Sequence, residues 1–234
     1  MMPFYYYFDP TYILVLIGVL LCMAASAKLN ATYNKYQRIR SYSGMTGAEA
    51  AQRILYQAGI RDVRVEHISG NLTDHYDPRN KVLRLSDTTY GSASVAAVGV
   101  AAHECGHAMQ HAHGYIPLSL RSALVPVANF GSAIAWPLIL FGLLIGSRSS
   151  GMLITAGILA FSAAVLFQIV TLPVEFNASG RALRMLEDNG ILQSEEIRMT
   201  RKVLSAAALT YVAGAASAIL QLVRILLLTN RRRD

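Results

Sequence analysis

Ala101-Ala102-His103-Glu104-Cys105-Gly106-His107-Ala108-Met109-Gln110 decides how this chain is read. It continues a nearly apolar, proline-free run from Ala93, and the pattern predicts a helix from about Ser92 to His111. On a helix, His103 and His107 are four positions apart and share a face, so both imidazoles can reach one metal ion. Neutral imidazoles hold Zn²⁺ without cancelling its charge, and Glu104 is a base suited to a water that the metal acidifies. H-E-x-x-H at this place implies one zinc per chain, with His103 and His107 as ligands and Glu104 as catalytic base. The bland alternative is a plain helix with two hydrogen-bonded histidines. The apolar half of the helix is short for a membrane span and fits the centre of a small domain.

Working outward, the composition sets the class. Of 234 residues, 53% are hydrophobic and only 15% charged, too apolar for an ordinary soluble domain. Four segments are long enough to cross hydrocarbon: Tyr12 to Leu29, Ala123 to Gly146, Gly151 to Leu172 and Val203 to Val223. Pro126 and Pro137 predict a kink or a shortened helix in the second. The fourth is rich in small residues, which suit tight packing, and reads either as a span or as a buried helix of the catalytic domain. Ala25-Ser26-Ala27 resembles a signal-peptidase site, but Met1 to Tyr12 has no positive charge, so the first segment reads as an anchor.

The net charge of +7 is explained by a membrane protein with its basic residues on one side. No nucleic-acid motif accompanies it, and no nucleic-acid partner is expected. Eleven Lys/Arg lie from Lys28 to Arg121 and five from Arg181 to Lys202, while the hairpin loop between the second and third segments has only Arg148. The positive-inside rule places residues 30–122 and 174–202 in the cytoplasm. A full fourth crossing would put Arg231, Arg232 and Arg233 outside, against that rule.

The expected organisation is an anchor at 1–29, a cytoplasmic catalytic region at 30–122 and a helical hairpin at 123–172. A connector carrying a third ligand follows at 173–202, then a last helix with a basic tail at 203–234. The class is mainly α: a polytopic membrane protein with about four transmembrane helices and a small α+β zincin-like catalytic domain. Within 30–122, Thr46-Gly47-Ala48-Glu49 is a capping box for a helix ending at Gly59. Val63 to Ile68 and Lys81 to Ser86 read as strands, separated by the turn signal Asp77-Pro78-Arg79-Asn80. Cys22 and Cys105 make no disulfide framework, and Cys105 reads as a small buried filler.

Two residues compete for the third ligand position. His113 would extend the motif toward HExxHxxGxxH, but Gln110 stands where that pattern needs Gly, and on a continued helix His113 points away from the metal face. Glu175 follows the third apolar segment, two crossings after His107 and so on the same side. A His₂Glu set with an open position is the catalytic zinc arrangement of gluzincins. Glu175 also suits a helix start, where a carboxylate favours the dipole. His111, a turn past His107, reads as a supporting or substrate-side group.

Three stretches together resemble the YugP-type neutral zinc metallopeptidases of bacterial membranes. They are Ala101 to Gln110, Asp74-His75-Tyr76-Asp77-Pro78 and Pro173-Val174-Glu175-Phe176-Asn177-Ala178-Ser179, and the resemblance covers almost the whole chain. More distantly it is similar to the HtpX and CAAX-prenyl membrane proteases. These carry Glu-x-x-x-Asp, where the Asp supports a His ligand; Ser179 stands at that position here. The resemblance implies that Ser179, Asn177 or Asp77 provides the support. It implies amide hydrolysis at a multi-pass site in a bacterial plasma membrane, facing the cytoplasm. Arg181 is the first choice for stabilising the oxyanion, with Tyr211 and His111 behind it. The strand Val82, Leu83, Arg84, Leu85 is expected to present an edge to extended substrate.

The expected partners are a membrane or membrane-adjacent polypeptide substrate and the bilayer itself, with a regulatory membrane partner or homo-oligomer left open. A metal-binding scaffold without proteolysis is the main alternative, and the intact Glu104 speaks against it. A transporter is disfavoured because the spans are nearly free of charge.

Overall fold

The structure, a computed structural model, describes residues 9–145 and 150–230. The hairpin loop with Arg148 and the tail with Arg231, Arg232 and Arg233 lie outside the described residues. The elements run α1 (Tyr12–Tyr36), α2 (Gly47–Gln57), β1 (Arg64–His67), β2 (His75–Asp77), β3 (Val82–Leu85), α3 (Val95–Ala112), α4 (Ile116–Ile145), α5 (Ser150–Asp188) and α6 (Ser194–Asn230). They form two compact units. One holds Ala25–Leu120 with Thr171–Thr210; the other holds Met1–Ala24, Arg121–Val170 and Tyr211–Asp234.

In the second of these units the helices are apolar outward as well as inward. Leu16, Leu20, Phe130, Phe141, Leu144, Met152 and Leu159 are all exposed. A surface of this kind suits hydrocarbon, and α1, α4, α5 and α6 are each long and apolar enough to cross a membrane. α4 and α5 pack through glycines. A Cβ on Gly131 would lie 2.5 Å from the Ala160 carbonyl oxygen, and one on Gly157 would lie 2.9 Å from that of Ala135. Neither Pro126 nor Pro137 shortens α4, which runs 30 residues through both. α6 lies antiparallel to α1: Gly18 abuts Ser217, and Asp9 ion-pairs with Arg224 at 3.4 Å, with the Tyr12 ring 4.2 Å from the guanidinium. Residues 211–230 therefore accompany the apolar stretch of α1, and the earlier turns of α6 bury Ile197, Val203 and Leu204 in the other unit. α6 is thus long and apolar enough to cross a membrane and also contributes to the core of the other unit.

The remaining unit is built around α3. The capping box of α2 is closed, with Thr46 N donating to Glu49 Oε2 at 2.8 Å and Glu49 N to Thr46 Oγ1 at 3.3 Å. Gly59, at φ +74°, stops the helix in the left-handed conformation that an L side chain resists. Its face of Ala50, Ala51, Ile54 and Leu55 packs on Val98, Ala101, Ala102 and Cys105 of α3. Cys105 is fully buried, with Sγ 3.6 Å from the Ala51 carbonyl oxygen, and burial pushes its thiol pKa well up. The apolar half of α3 is thus the core of this unit.

The sheet has the order β1-β3-β2, with β1 parallel and β2 antiparallel to β3. This corrects one expectation. Val82, Leu83, Arg84 and Leu85 form the central strand, paired on both sides, and have no free edge for a substrate. The buried Val82, Leu83 and Leu85 fit that central place. Asp77 ends β2 and holds the next turn, accepting from Arg79 N at 3.0 Å and Asn80 Nδ2 at 2.8 Å. Those bonds, led by the one from the Asn80 side chain, hold its pKa at about 2. Asp77 also meets Arg84 at 3.2 Å, so its carboxylate serves the turn and the sheet and is not seated on a histidine.

Candidate metal centre

α3 carries His103 and His107 on one face, and α5 passes across that face. The crossing is close because residue 106 is glycine. A Cβ there would lie 2.4 Å from the carbonyl oxygen of Ala178 and 3.0 Å from its Cα, backbone that cannot swing aside. This contact brings Glu175 and Ser179, three before and one after Ala178, over the two imidazoles. The ligand atoms of His103, His107 and Glu175 all lie within 4.8 Å of one another. His103 Nε2 is 3.2 Å and His107 Nε2 3.6 Å from the same oxygen, Glu175 Oε2. Glu175 is 2% exposed, so its carboxylate is a deliberate inclusion in the interior.

Gly106→Ala should push α3 and α5 apart at this turn. We expect a loss of about 1–3 kcal/mol of stability, with weaker metal binding. Gly180→Ala, on α5 and with open space around its Cβ position, should cost nothing. Thermal melts of both variants in detergent check this; equal melting points would show that the crossing tolerates a methyl group.

The far nitrogens of both rings are also held. His103 Nδ1 is 3.1 Å from Ser179 Oγ, and His107 Nδ1 is 3.0 Å from Gln110 Oε1. Gln110 is fully buried. Its amide nitrogen donates to the Val174 carbonyl at 2.8 Å and to Asn177 Oδ1 at 3.1 Å. With its nitrogen so engaged, the amide oxygen must accept from His107 Nδ1–H, which leaves the lone pair on Nε2 facing Glu175. Burial opposes charge on His107, but Glu175 and Glu104 beside it outweigh that and raise its pKa. Two converging imidazole nitrogens with fixed second nitrogens, plus a buried carboxylate, form a donor set that fits Zn²⁺. In the sequence Gln110 stands out only as the residue occupying the place of a glycine; its one signal as a support is an amide three residues after His107.

Glu104 stands outside the cluster. It is nearly buried, and its Oε2 accepts from the backbone N–H of Tyr76 at 3.0 Å. β2 is an edge strand, so this bond turns its unpaired edge toward α3. The Tyr76 phenol meets His111 Nδ1 at 2.8 Å, and burial, followed by the charges of Asp62 and Asp77, pushes it up to about 12. A neutral hydroxyl and an imidazole therefore lie one helical turn beyond His107.

The other expected residues fall as follows. Asn177 Oδ1 accepts from Gln110 and from Arg181 Nε at 2.8 Å, and Arg181 lies 5.9 Å from the Tyr115 ring. Arg181 is thereby tied to Asn177, and through it to the Gln110 support. His113 caps α3, with Nδ1 2.6 Å from the Met109 carbonyl oxygen, and is not in the three-residue cluster. Asp74 accepts from the Ser86 backbone and hydroxyl at 2.8 and 2.9 Å, fixing the entry to β2. Tyr211 falls in the other compact unit.

Comparison with known proteins places the chain among zinc peptidases. Residues 11–230 match the family model described as "Putative neutral zinc metallopeptidase". The chain is similar to the "Putative membrane protease YugP" of Bacillus subtilis (strain 168), 48% identical over 210 residues, which is 90% of this chain and 92% of that protein. No solved structure matches it.

Proposed function

The chain belongs to the neutral zinc metallopeptidase family, and on that premise we propose that it is a membrane-embedded endopeptidase cutting membrane or membrane-adjacent polypeptides. The observation that carries this reading is the convergence of His103, His107 and Glu175 within 4.8 Å, with Glu104 adjacent but outside the set. These three residues would hold one zinc ion, a gluzincin-type set; bound there, zinc supplies a Lewis acid for the scissile carbonyl and lowers the pKa of water. Glu104 takes the proton of the attacking water on its carboxylate and passes it to the leaving amine. The Tyr76 N–H keeps that carboxylate oriented. Gln110 and Ser179 fix the two rings, and the Asn177–Arg181 pair braces Gln110. Substrate lies extended beside β2, the edge strand next to Glu104, in place of the central strand Val82 to Leu85 first expected to receive it. Tyr76 and His111, bonded to each other one helical turn beyond His107, are the candidate donors for a developing oxyanion.

Purified protein should cleave a generic unfolded polypeptide, lose that activity to a chelator and regain it with zinc. A zinc-loaded chain that cleaves neither unfolded nor membrane-adjacent substrates would support the scaffold alternative instead.

We also place the chemistry at the cytoplasmic face of a bacterial plasma membrane. The basic residues gather on that side, and Glu175 follows Leu172, the end of the apolar stretch of α5, by ~5 Å of helix rise. A cysteine introduced at Arg40 should resist an impermeant thiol reagent in intact cells and react after lysis. Labelling in intact cells would reverse the orientation.

A further inference from the structure

A cavity of about 560 Å³ lies between α1 and α6, away from the zinc-type cluster and unused by the reaction proposed above. Four cations line it: Lys28 and Lys35 from α1, and Arg201 and Lys202 from α6. No carboxylate lines it among the described residues. Lys28, Ala31, Thr32 and Lys35 form one stripe of α1 at helical spacing, and Arg201, Lys202, Ser205 and Ala206 form the facing stripe of α6. The buried Tyr36 and Ala206 form the floor, with the Lys35 ammonium 5.5 Å from the Tyr36 ring, and Ser205 adds a hydroxyl. The four side chains are exposed, so solvent screens their mutual repulsion, but an anion seated in the groove would be attracted by all four.

The place of these cations along their helices narrows the anion. Lys28 is the first charged residue after the apolar stretch of α1, and Arg201 and Lys202 directly precede that of α6. Both sets therefore fall where two long apolar helices leave hydrocarbon, the level at which lipid phosphates lie. A soluble phosphate would satisfy the charges but has no use for the apolar floor of Tyr36 and Ala206.

We propose that this groove binds the phosphate headgroup of an anionic phospholipid from the surrounding leaflet. The lipid phosphate bridges the Lys28/Lys35 pair of α1 and the Arg201/Lys202 pair of α6, and so clamps the two helices at the membrane boundary.

The test uses the full chain in nanodiscs of phosphatidylcholine containing a minor fraction of phosphatidylglycerol, with co-purifying lipid read by native mass spectrometry. Wild type should retain phosphatidylglycerol over phosphatidylcholine by roughly tenfold. The Lys28→Gln/Lys35→Gln/Arg201→Gln/Lys202→Gln variant should lose that selectivity. A variant with the same loss of charge elsewhere, Arg61→Gln/Arg64→Gln/Arg79→Gln/Arg184→Gln, should keep it. If the fourfold groove variant fails to fold, the two paired variants, one on each helix, read the same quantity at partial loss. Equal retention of both lipids by wild type, or equal loss in the control variant, would overturn the proposal. Displacement of the lipid by millimolar inorganic phosphate would assign the groove to a soluble anion and overturn it as well.

Discussion

Glu104→Gln is expected to keep about one zinc per chain while peptidase turnover falls on the order of 10²-fold or more. The reason is the division of work at α3. His103, His107 and Glu175 form the three-residue cluster, and Glu104 is not part of it. Its Oε2 accepts one bond, from Tyr76 N. A glutamine of the same shape keeps an oxygen for that bond, so the approach of β2 to α3 should survive and with it the fold. What glutamine cannot do is accept the proton of the attacking water and return it to the leaving amine. Zinc content by atomic spectroscopy and turnover on an unfolded polypeptide measure the two halves separately. Unchanged turnover at full zinc would remove Glu104 from the reaction. Loss of zinc along with activity would mean that this carboxylate belongs to the metal set after all.

The features legible in the sequence were those that local physics encodes. The α2 cap needs only Thr46 and Glu49, three residues apart, and the shared face of His103 and His107 needs only helical spacing. The four apolar helices follow from length and composition. Glu175 was reachable by counting crossings, a topological argument that needs no contact. Features that depend on distant pairing were not legible. β2 has three residues and β3 four, too short for a periodicity, and nothing local says which of two neighbouring strands is central. α5 runs on past Pro173 to Asp188, although proline lacks the donor for a helical bond and usually marks an end. The meaning of Gly106 appears only once Ala178 is seen 2.4 Å from its missing Cβ. Gln110 hid for a related reason: a polar residue late in a helix reads as solvent-facing until its three partners on two helices are known.

Glu175→Ala should weaken zinc binding about as much as His107→Ala, and His113→Ala should leave it near wild type. The geometry separates the two candidates for the third ligand. Glu175 is buried with one oxygen 3.2 and 3.6 Å from two imidazole nitrogens, whereas His113 is bonded to the Met109 carbonyl at the end of its own helix. Alanine at 175 removes the single anionic donor and leaves the two imidazoles alone, a poor site for a divalent cation. Gln110→Ala gives a graded third case. It frees the Nδ1–H of His107, so the tautomer and angle of that ring are no longer fixed, and affinity should fall roughly 10–100-fold without abolishing binding. Titration of the apo-protein with zinc against a competing chelator orders the four variants. The expected order of loss is Glu175→Ala close to His107→Ala, then Gln110→Ala, then His113→Ala. If His113→Ala ranked with His107→Ala and Glu175→Ala bound zinc normally, the third donor would come from the end of α3. The crossing of α3 by α5 would then serve packing alone.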